Sequence, residues 1–303
     1  MRLLTRSDFD GLACAMLLKQ AGIIDSWKFT HPKDLQDGKI EVTDNDILAN
    51  VPYVPGCGMW FDHHASEALR MMPKNFKGAF ADAPSAARVI WDYYSKEIEF
   101  PPHFATMLDA VDKVDGANLT KEEILNPTGW VLLGYIMDPR TGLGRFREFR
   151  VSNYALMEML IDACRELTTV EEVLNLPDVA ERVKLYFEQD ELFTQMMQDR
   201  TRMHGKCAVI DLRDQDPIYT GNRFRVYAMF PECNVSLHIL WGFQRQNVVL
   251  TVGKSIVDRS NKVNVGELML KYGGGGHVGV GTCQVAETEV EQAAQEIIAA
   301  LNN

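Results

Sequence analysis

Three short segments hold residue types that could do chemistry together. In the first, Asp8 and Asp10 stand two apart in Ser7-Asp8-Phe9-Asp10-Gly11, between a short apolar run and a helix-forming one. Two acids on a tight turn at a strand end can aim both carboxylates into one crevice, where ligands of open α/β sheets bind. Their hard oxygens suit Mg²⁺ or Mn²⁺. The same residues would also make a good helix start, with Asp8 as N-cap and Asp10 in the first turn. The second segment is Asp62-His63-His64. An acid with two adjacent imidazoles offers a metal ligand and a proton donor, because neighbours at a strand end point in different directions; a polar turn after a buried strand is the plainer reading. The third is Gly273, Gly274, Gly275, Gly276 and His277. One glycine would be a helix C-cap. Four let the backbone approach a ligand and present amides as an anion nest, with His277 adding a donor.

These segments need elements to position them. Leu3–Thr5, Trp27–Thr30, Ile40–Thr43 and Met59–Phe61 read as strands, the last ending at Asp62. Leu12–Gly22 and Pro84–Tyr94 read as helices, the second with Pro84 at its first position. Strands alternating with helices predict a mainly parallel sheet with helices on both faces. Phe104–Val114, Tyr154–Leu167 and Val179–Met203 carry apolar residues at helical spacing. After Gly205 the pattern changes to strands at Cys207–Leu212, Phe224–Phe230, Val235–Trp241, Val248–Val252 and Val280–Val285, with helices at Val263–Tyr272 and Thr288–Leu301. The expected organisation is an α/β first domain over 1–185, a helical linker over 186–204 and a smaller α/β domain over 205–303.

The chain has 303 residues, with 31 Lys plus Arg against 42 Asp plus Glu, for a net charge of −11. This balance argues against binding long duplex nucleic acid, which rewards a basic surface. Hydrophobic residues at 46% and charged residues at 24% describe an ordinary globular chain. The six cysteines form no C-x-x-C pair, which points to reduced, mostly buried thiols. No signal-peptide core or membrane-length apolar run is present, so the expected location is the cytoplasm and no membrane partner is expected. One basic stretch stands apart: Arg140, Arg145, Arg147 and Arg150 against Glu148, a local charge of +3. Arginine forks bind phosphate bidentately, but such runs are equally often solvated loops. Trp130 and Trp241 could stack bases, though core packing is the simpler role.

Taken together, the motifs and their order resemble the DHH phosphoesterases with a C-terminal DHHA1-type domain, across nearly the whole chain. The matching pieces are SDFDG at 7–11, the acid at the end of IEVTD, FDHH at 61–64, an acid in LDAVDKVDGA at 108–117, and GGGGH at 273–277. The resemblance implies Asp8 as a ligand of one metal, Asp10 and His63 as ligands of a second, Asp44 as a bridging carboxylate and Asp112 completing the second site, with Asp109 and Asp115 as near alternatives. It implies His64 beside the transferring phosphate and Asp62 orienting a neighbouring histidine. In the second domain the glycines and His277 would hold substrate phosphate, assisted by Lys254 and Arg259, with Arg145 a further candidate. The implied cofactor is Mn²⁺ or Mg²⁺, as two ions.

The implied function is a metal-dependent phosphohydrolase in which metal-activated water cleaves a phosphodiester or phosphoanhydride of a small polyanion, either a short oligonucleotide or polyphosphate. The implied partner is that small phosphorylated substrate, with room for a homodimer. One departure matters. The family usually has His four residues before the first acid of the D-x-D pair, and here that position is Leu4. Leu cannot bind a metal, so His31 becomes a candidate replacement, and a phosphoryl-ligand binding protein without turnover becomes the alternative function.

Overall fold

A computed structural model gives the fold, and it describes residues 1–64 and 75–303. Two compact units are present: Met1–Asn118 with Pro127–Leu185, and Leu119–Asn126 with Tyr186–Asn303.

The first unit is built on strands β1 (Arg2–Thr5), β2 (Ser26–Phe29), β3 (Asp46–Ala49), β4 (Met59–Asp62) and β5 (Gly78–Phe80), in the order β2-β1-β3-β4-β5. All four pairings are parallel, so every strand presents its C-terminal end along the same edge. Consecutive residues of the central strands (Leu3 and Leu4, Ile47 and Leu48, Trp60 and Phe61) are all fully buried, so both faces of the sheet are covered. Leu4 packs on one face with Leu35, Leu48, Val51 and Trp60.

Helix α1 (Phe9–Gln20) follows β1 directly. Asp8 caps it, its side chain accepting from the Gly11 amide, and each residue from Phe9 to Leu18 is buried. A helix apolar on every side belongs in the interior. Gly11 is obligatory: a Cβ there would lie 1.9 Å from the Arg6 carbonyl oxygen. The remaining helices of this unit are α2 (Pro32–Gln36), α3 (Ala86–Tyr94), α4 (His103–Asp115), α6 (Gly129–Met137), α7 (Asn153–Glu166) and α8 (Val170–Leu174); α5 (Lys121–Leu125) packs with the second unit, and α9 (Pro177–Arg200) contains the boundary. α3 is capped by Ser85, whose hydroxyl accepts from the Arg88 amide, so Pro84 lies just outside the helix rather than at its first position.

The second unit holds β6 (Thr201–His204), β7 (Cys207–Asp211), α10 (Arg225–Met229), β8 (Val235–Trp241), β9 (Val248–Lys254), α11 (Val265–Leu270), β10 (Gly275–His277), β11 (Val280–Val285) and α12 (Val290–Leu301). Its six strands run β10-β11-β9-β8-β7-β6, antiparallel except between β7 and β8. Along β11 buried and exposed residues alternate, the pattern of a sheet with one wet face. The buried face packs on α11 and α12 through Val265, Met269, Val290, Ile297 and Leu301.

The structure corrects four sequence-based elements. Residues 40–43 are a loop whose Ile40 and Val42 pack beside Leu4, so their alternation reflects loop burial and the strand begins later, at Asp46. Residues 225–229 are helical, an apolar run too short for periodicity to separate helix from strand. Residues 201–203 are strand, because β6 pairs with β7 through the turn at Gly205. The glycine-rich segment is a strand, described below. Among the described residues, no helix is long and apolar enough to cross a membrane.

Candidate metal centre

The C-terminal ends of β1, β3 and β4 and the C-terminus of α4 converge on one cluster. Asp10 is 1% exposed. Its carboxylate accepts the Ala86 amide at 3.0 Å and the Ala87 amide at 2.8 Å. Those are unpaired donors of the first turn of α3, where a negative charge is favoured. Burial, and then the charges of Asp115 and Asp8, still push the Asp10 carboxyl up to about 7.

His63 follows β4. Its Nδ1 lies 2.9 Å from the Ala83 carbonyl. A carbonyl can only accept, so Nδ1 carries a proton, and in the neutral ring the lone pair is on Nε2. Nε2 lies 3.1 Å from Asp115 Oδ2 and 3.9 Å from Asp10 Oδ2. It is buried and makes no hydrogen bond of proper geometry. The ligating atoms of Asp10, His63 and Asp115 lie within 4.8 Å of one another. Burial alone would lower the His63 pKa, but Asp115 and Asp10 outweigh it and push it up to about 9. Burial would likewise raise Asp115, but His63 and further cations hold it below the usual carboxylate range. A buried imidazole with an unpartnered nitrogen facing two carboxylates fits a divalent ion, and the carbonyl behind Nδ1 is the usual support of a metal-bound histidine.

Beside this triad, Asp62 Oδ1 accepts from His64 Nδ1 at 2.7 Å and from the His63 amide at 2.9 Å. Burial opposes the charged imidazole, but Asp62 prevails and His64 is raised above its ordinary value. The other Asp62 oxygen is buried without a hydrogen-bond partner.

Asp8 is placed differently. Its Oδ1 accepts the Gly11 amide at 3.0 Å and Asn50 Nδ2 at 2.9 Å. Arg6 Nε lies 3.1 Å from its Oδ2. Burial raises its pKa against the pull of Arg6.

Two expected ligands lie elsewhere. Asp44 occupies the turn before β3, at the opposite end of the strand from the cluster, with the strand alone spanning about 13 Å between them. The residue at the C-terminal end of β3 is Asn50, in the left-handed region at φ 56°. Asp112 accepts from Ser85 Oγ at 2.6 Å and Arg88 Nε at 2.8 Å, tying α3 to α4. Asp109 also pairs with Arg88. It is Asp115, one turn further along α4, that reaches His63.

Leu4 is fully buried in the sheet core. His31 caps α2, its Nδ1 accepting from the Lys33 amide at 3.1 Å. It lines a cavity of about 560 Å³ with Arg6, Asp8, Phe29, Arg140 and Tyr154. Phe29 and Tyr154 meet edge to face at 5.5 Å. Of the basic stretch, Arg140 is the arginine lining this cavity. Its charge is favoured by Asp138, Asp8 and Asp115. Arg145 instead folds over Gly142, donating to its carbonyl at 3.3 Å. Arg150 pairs with Asp178. Trp130 is buried and Trp241 donates to the Arg213 carbonyl, so both serve packing.

In the second unit the glycine-rich segment forms the edge strand β10, hairpin-paired to β11. A Cβ on Gly274 would lie 2.1 Å from the Thr282 carbonyl oxygen and one on Gly276 2.2 Å from that of Val280. These two glycines are therefore required for close strand pairing. Lys254 donates its amide to Gly279 at 2.8 Å, which puts it beside the hairpin tip and the exposed His277. Arg259 sits on a separate loop, donating to Ile256.

Arg6 and Asn50 were not singled out by sequence; Asp115 stood only as an alternative to Asp112, and Arg140 only as a member of the basic stretch. For Asp115 a signal existed: a carboxylate at the very end of a helix, just before Gly116, is better placed to reach the strand ends than one a turn earlier.

The fold recurs in solved structures. A pGpG-specific phosphodiesterase, PggH, from Vibrio cholerae is 48% identical, with a TM-score of 0.88 over 99% of this chain and 98% of that one. The DHH domain of a member of the s1p family of ribosomal proteins is 12% identical, with a TM-score of 0.55 over 99% of this chain and 86% of that one. RecJ from Thermus thermophilus in complex with Mn²⁺ is 14% identical, with a TM-score of 0.50 over 98% of this chain and 51% of that one. No family model and no curated protein sequence matches the chain.

Proposed function

The chain belongs to the DHH family of metal-dependent phosphoesterases, and on that premise we propose that its substrate is a guanylyl dinucleotide of the pGpG type. The similarity to PggH over almost all of both chains supports this choice. So does the cavity beside Asp8: the exposed ring of Tyr154, backed by buried Phe29, stands next to Arg6 and Arg140, a base-stacking surface beside phosphate-binding forks. Polyphosphate would use the cations but not the rings.

Asp10, His63 and Asp115 are the residues proposed to hold the metal, and Mn²⁺, present in the RecJ complex, is the proposed ion. A divalent ion there supplies an activated water and neutralises charge on the phosphate. The other groups act through proton placement and orientation. Asp62 fixes the His64 ring and favours its charged form. His64 is thus poised to give a proton to the departing sugar oxygen as the phosphorus–oxygen bond breaks. Water supplies the new phosphate oxygen, and two mononucleotides result. Arg6 and Arg140 orient the phosphate, and Tyr154 the base. Lys254 and His277, at the hairpin tip of the second unit, are proposed phosphate contacts in their own right. The proposed place of action is the cytoplasm. A binding protein without turnover is not favoured, since the triad is assembled whatever stands at position 4.

The observation that carries the reading is the unpartnered His63 Nε2 facing two carboxylates. The test is hydrolysis of pGpG and of polyphosphate with Mn²⁺. Release of GMP from pGpG, lost in His64→Asn by about 100-fold or more in kcat, is expected. Phosphate release from polyphosphate with no cleavage of pGpG overturns it.

A further inference from the structure

The two acids of the Asp8-Phe9-Asp10 turn meet very different surroundings, and the Asp8 side does not suit a second metal ion. Leu4 offers no lone pair. At the end of β3, where a bridging carboxylate would stand, Asn50 is neutral and spends its amide nitrogen on Asp8 at 2.9 Å. Asp8 takes three donors: the Gly11 amide, Asn50 Nδ2 and the Arg6 guanidinium. Arg140 adds a second positive charge that favours both Asp8 and Asp115.

We propose that this chain binds a single divalent ion, at Asp10, His63 and Asp115, and that the Arg6 guanidinium clamped on Asp8, with Arg140 beside it, takes the place of a second ion. The inference rests on the metal reading of the triad given above. Occupancy supports it: both Asp8 oxygens already face donors, Gly11 and Asn50 on Oδ1 and Arg6 on Oδ2. A further ion on the Asp8 side would have to displace one of these donors. Chemistry supports it too. A guanidinium presents a planar fork that grips two phosphate oxygens, so it can do the charge-neutralising and positioning part of a metal's work. It cannot lower the pKa of a bound water, which leaves that task to the single ion.

The test is calorimetric titration of Mn²⁺ into the metal-stripped protein without substrate, with electron paramagnetic resonance on the loaded sample. One equivalent and the hyperfine pattern of an isolated ion are expected. Two equivalents, or the spectrum of an exchange-coupled pair, overturn the proposal. His63→Ala should weaken the one binding event by about 100-fold or more; unchanged affinity would place the ion elsewhere and overturn it. The double variant Arg6→Gln, Asn50→Asp should gain a second, weaker equivalent. A count still at one in that folded variant removes the role assigned to Arg6. Because no substrate is present, a protein that binds one ion yet ignores pGpG defeats the substrate reading and leaves this one standing.

Discussion

Asp8 and Asp10 differ by two positions in sequence and by almost everything in environment. Both are buried, and burial pushes both carboxyls upward. Asp10 is held by two backbone amides and faces an imidazole and a second carboxylate. Asp8 is held by a guanidinium and a side-chain amide. The backbone donors fix Asp10 without supplying a mobile or competing charge, which leaves its negative charge for a cation. Arg6 sets a positive charge directly against Asp8. The lesson is that identical side chains on one turn become a proposed metal ligand and an arginine anchor according to what the neighbouring strand ends contribute.

The comparison can be broken most decisively by removing each charge in turn. Asp10→Asn should weaken Mn²⁺ binding by about 100-fold or more, while Asp8→Asn should stay within about threefold. Calorimetric titration of both variants checks this, and equal losses would erase the distinction. Acidity probes the Asp10 side next. Ion binding must expel the protons of His63, raised to about 9, and of Asp10, raised to about 7. Affinity should therefore climb most steeply below about 7, where both groups release a proton. It should climb by about tenfold per pH unit from there to about 9, where only His63 does, and level off above. A flat profile between those values would show that His63 is not displaced by the ion. The smallest effect is expected on the Asp8 side. Arg6→Ala should raise KM for pGpG by about tenfold, the worth of one charge-assisted hydrogen bond, with Mn²⁺ affinity unchanged. Steady-state kinetics beside a metal titration would read both.

The sequence carried the turn and the motifs further than the ligands. SDFDG and FDHH were legible because each sits where an apolar strand stops, and Gly11 marks a contact that only glycine tolerates. Asp44 misled because Ile40 and Val42 imitate strand alternation while packing as a loop, which shifted the strand by several residues and exchanged one end of the sheet for the other. Asp112 and Asp115 lie three apart on α4 and so share a face. Periodicity cannot decide which of them reaches a strand edge; the offset of the helix along the sheet decides, and that is a tertiary quantity. Arg6 carried no motif at all, and the basic stretch did not say which of its arginines would matter; the meaning of Arg6 and Arg140 is their place beside Asp8. The run of four glycines suggested an anion nest, yet two of its members are needed simply so that β10 can lie against β11.

Asn50 holds a left-handed backbone at φ 56°. Asn and Asp are the non-glycine residues that tolerate this region best. Their codons differ by a single nucleotide, so an amide can become a carboxylate at this strand end without disturbing the chain around it. On the single-ion proposal, this position is where a small change of side chain, made together with one at Arg6, would alter the requirement for metal while the scaffold stays as it is.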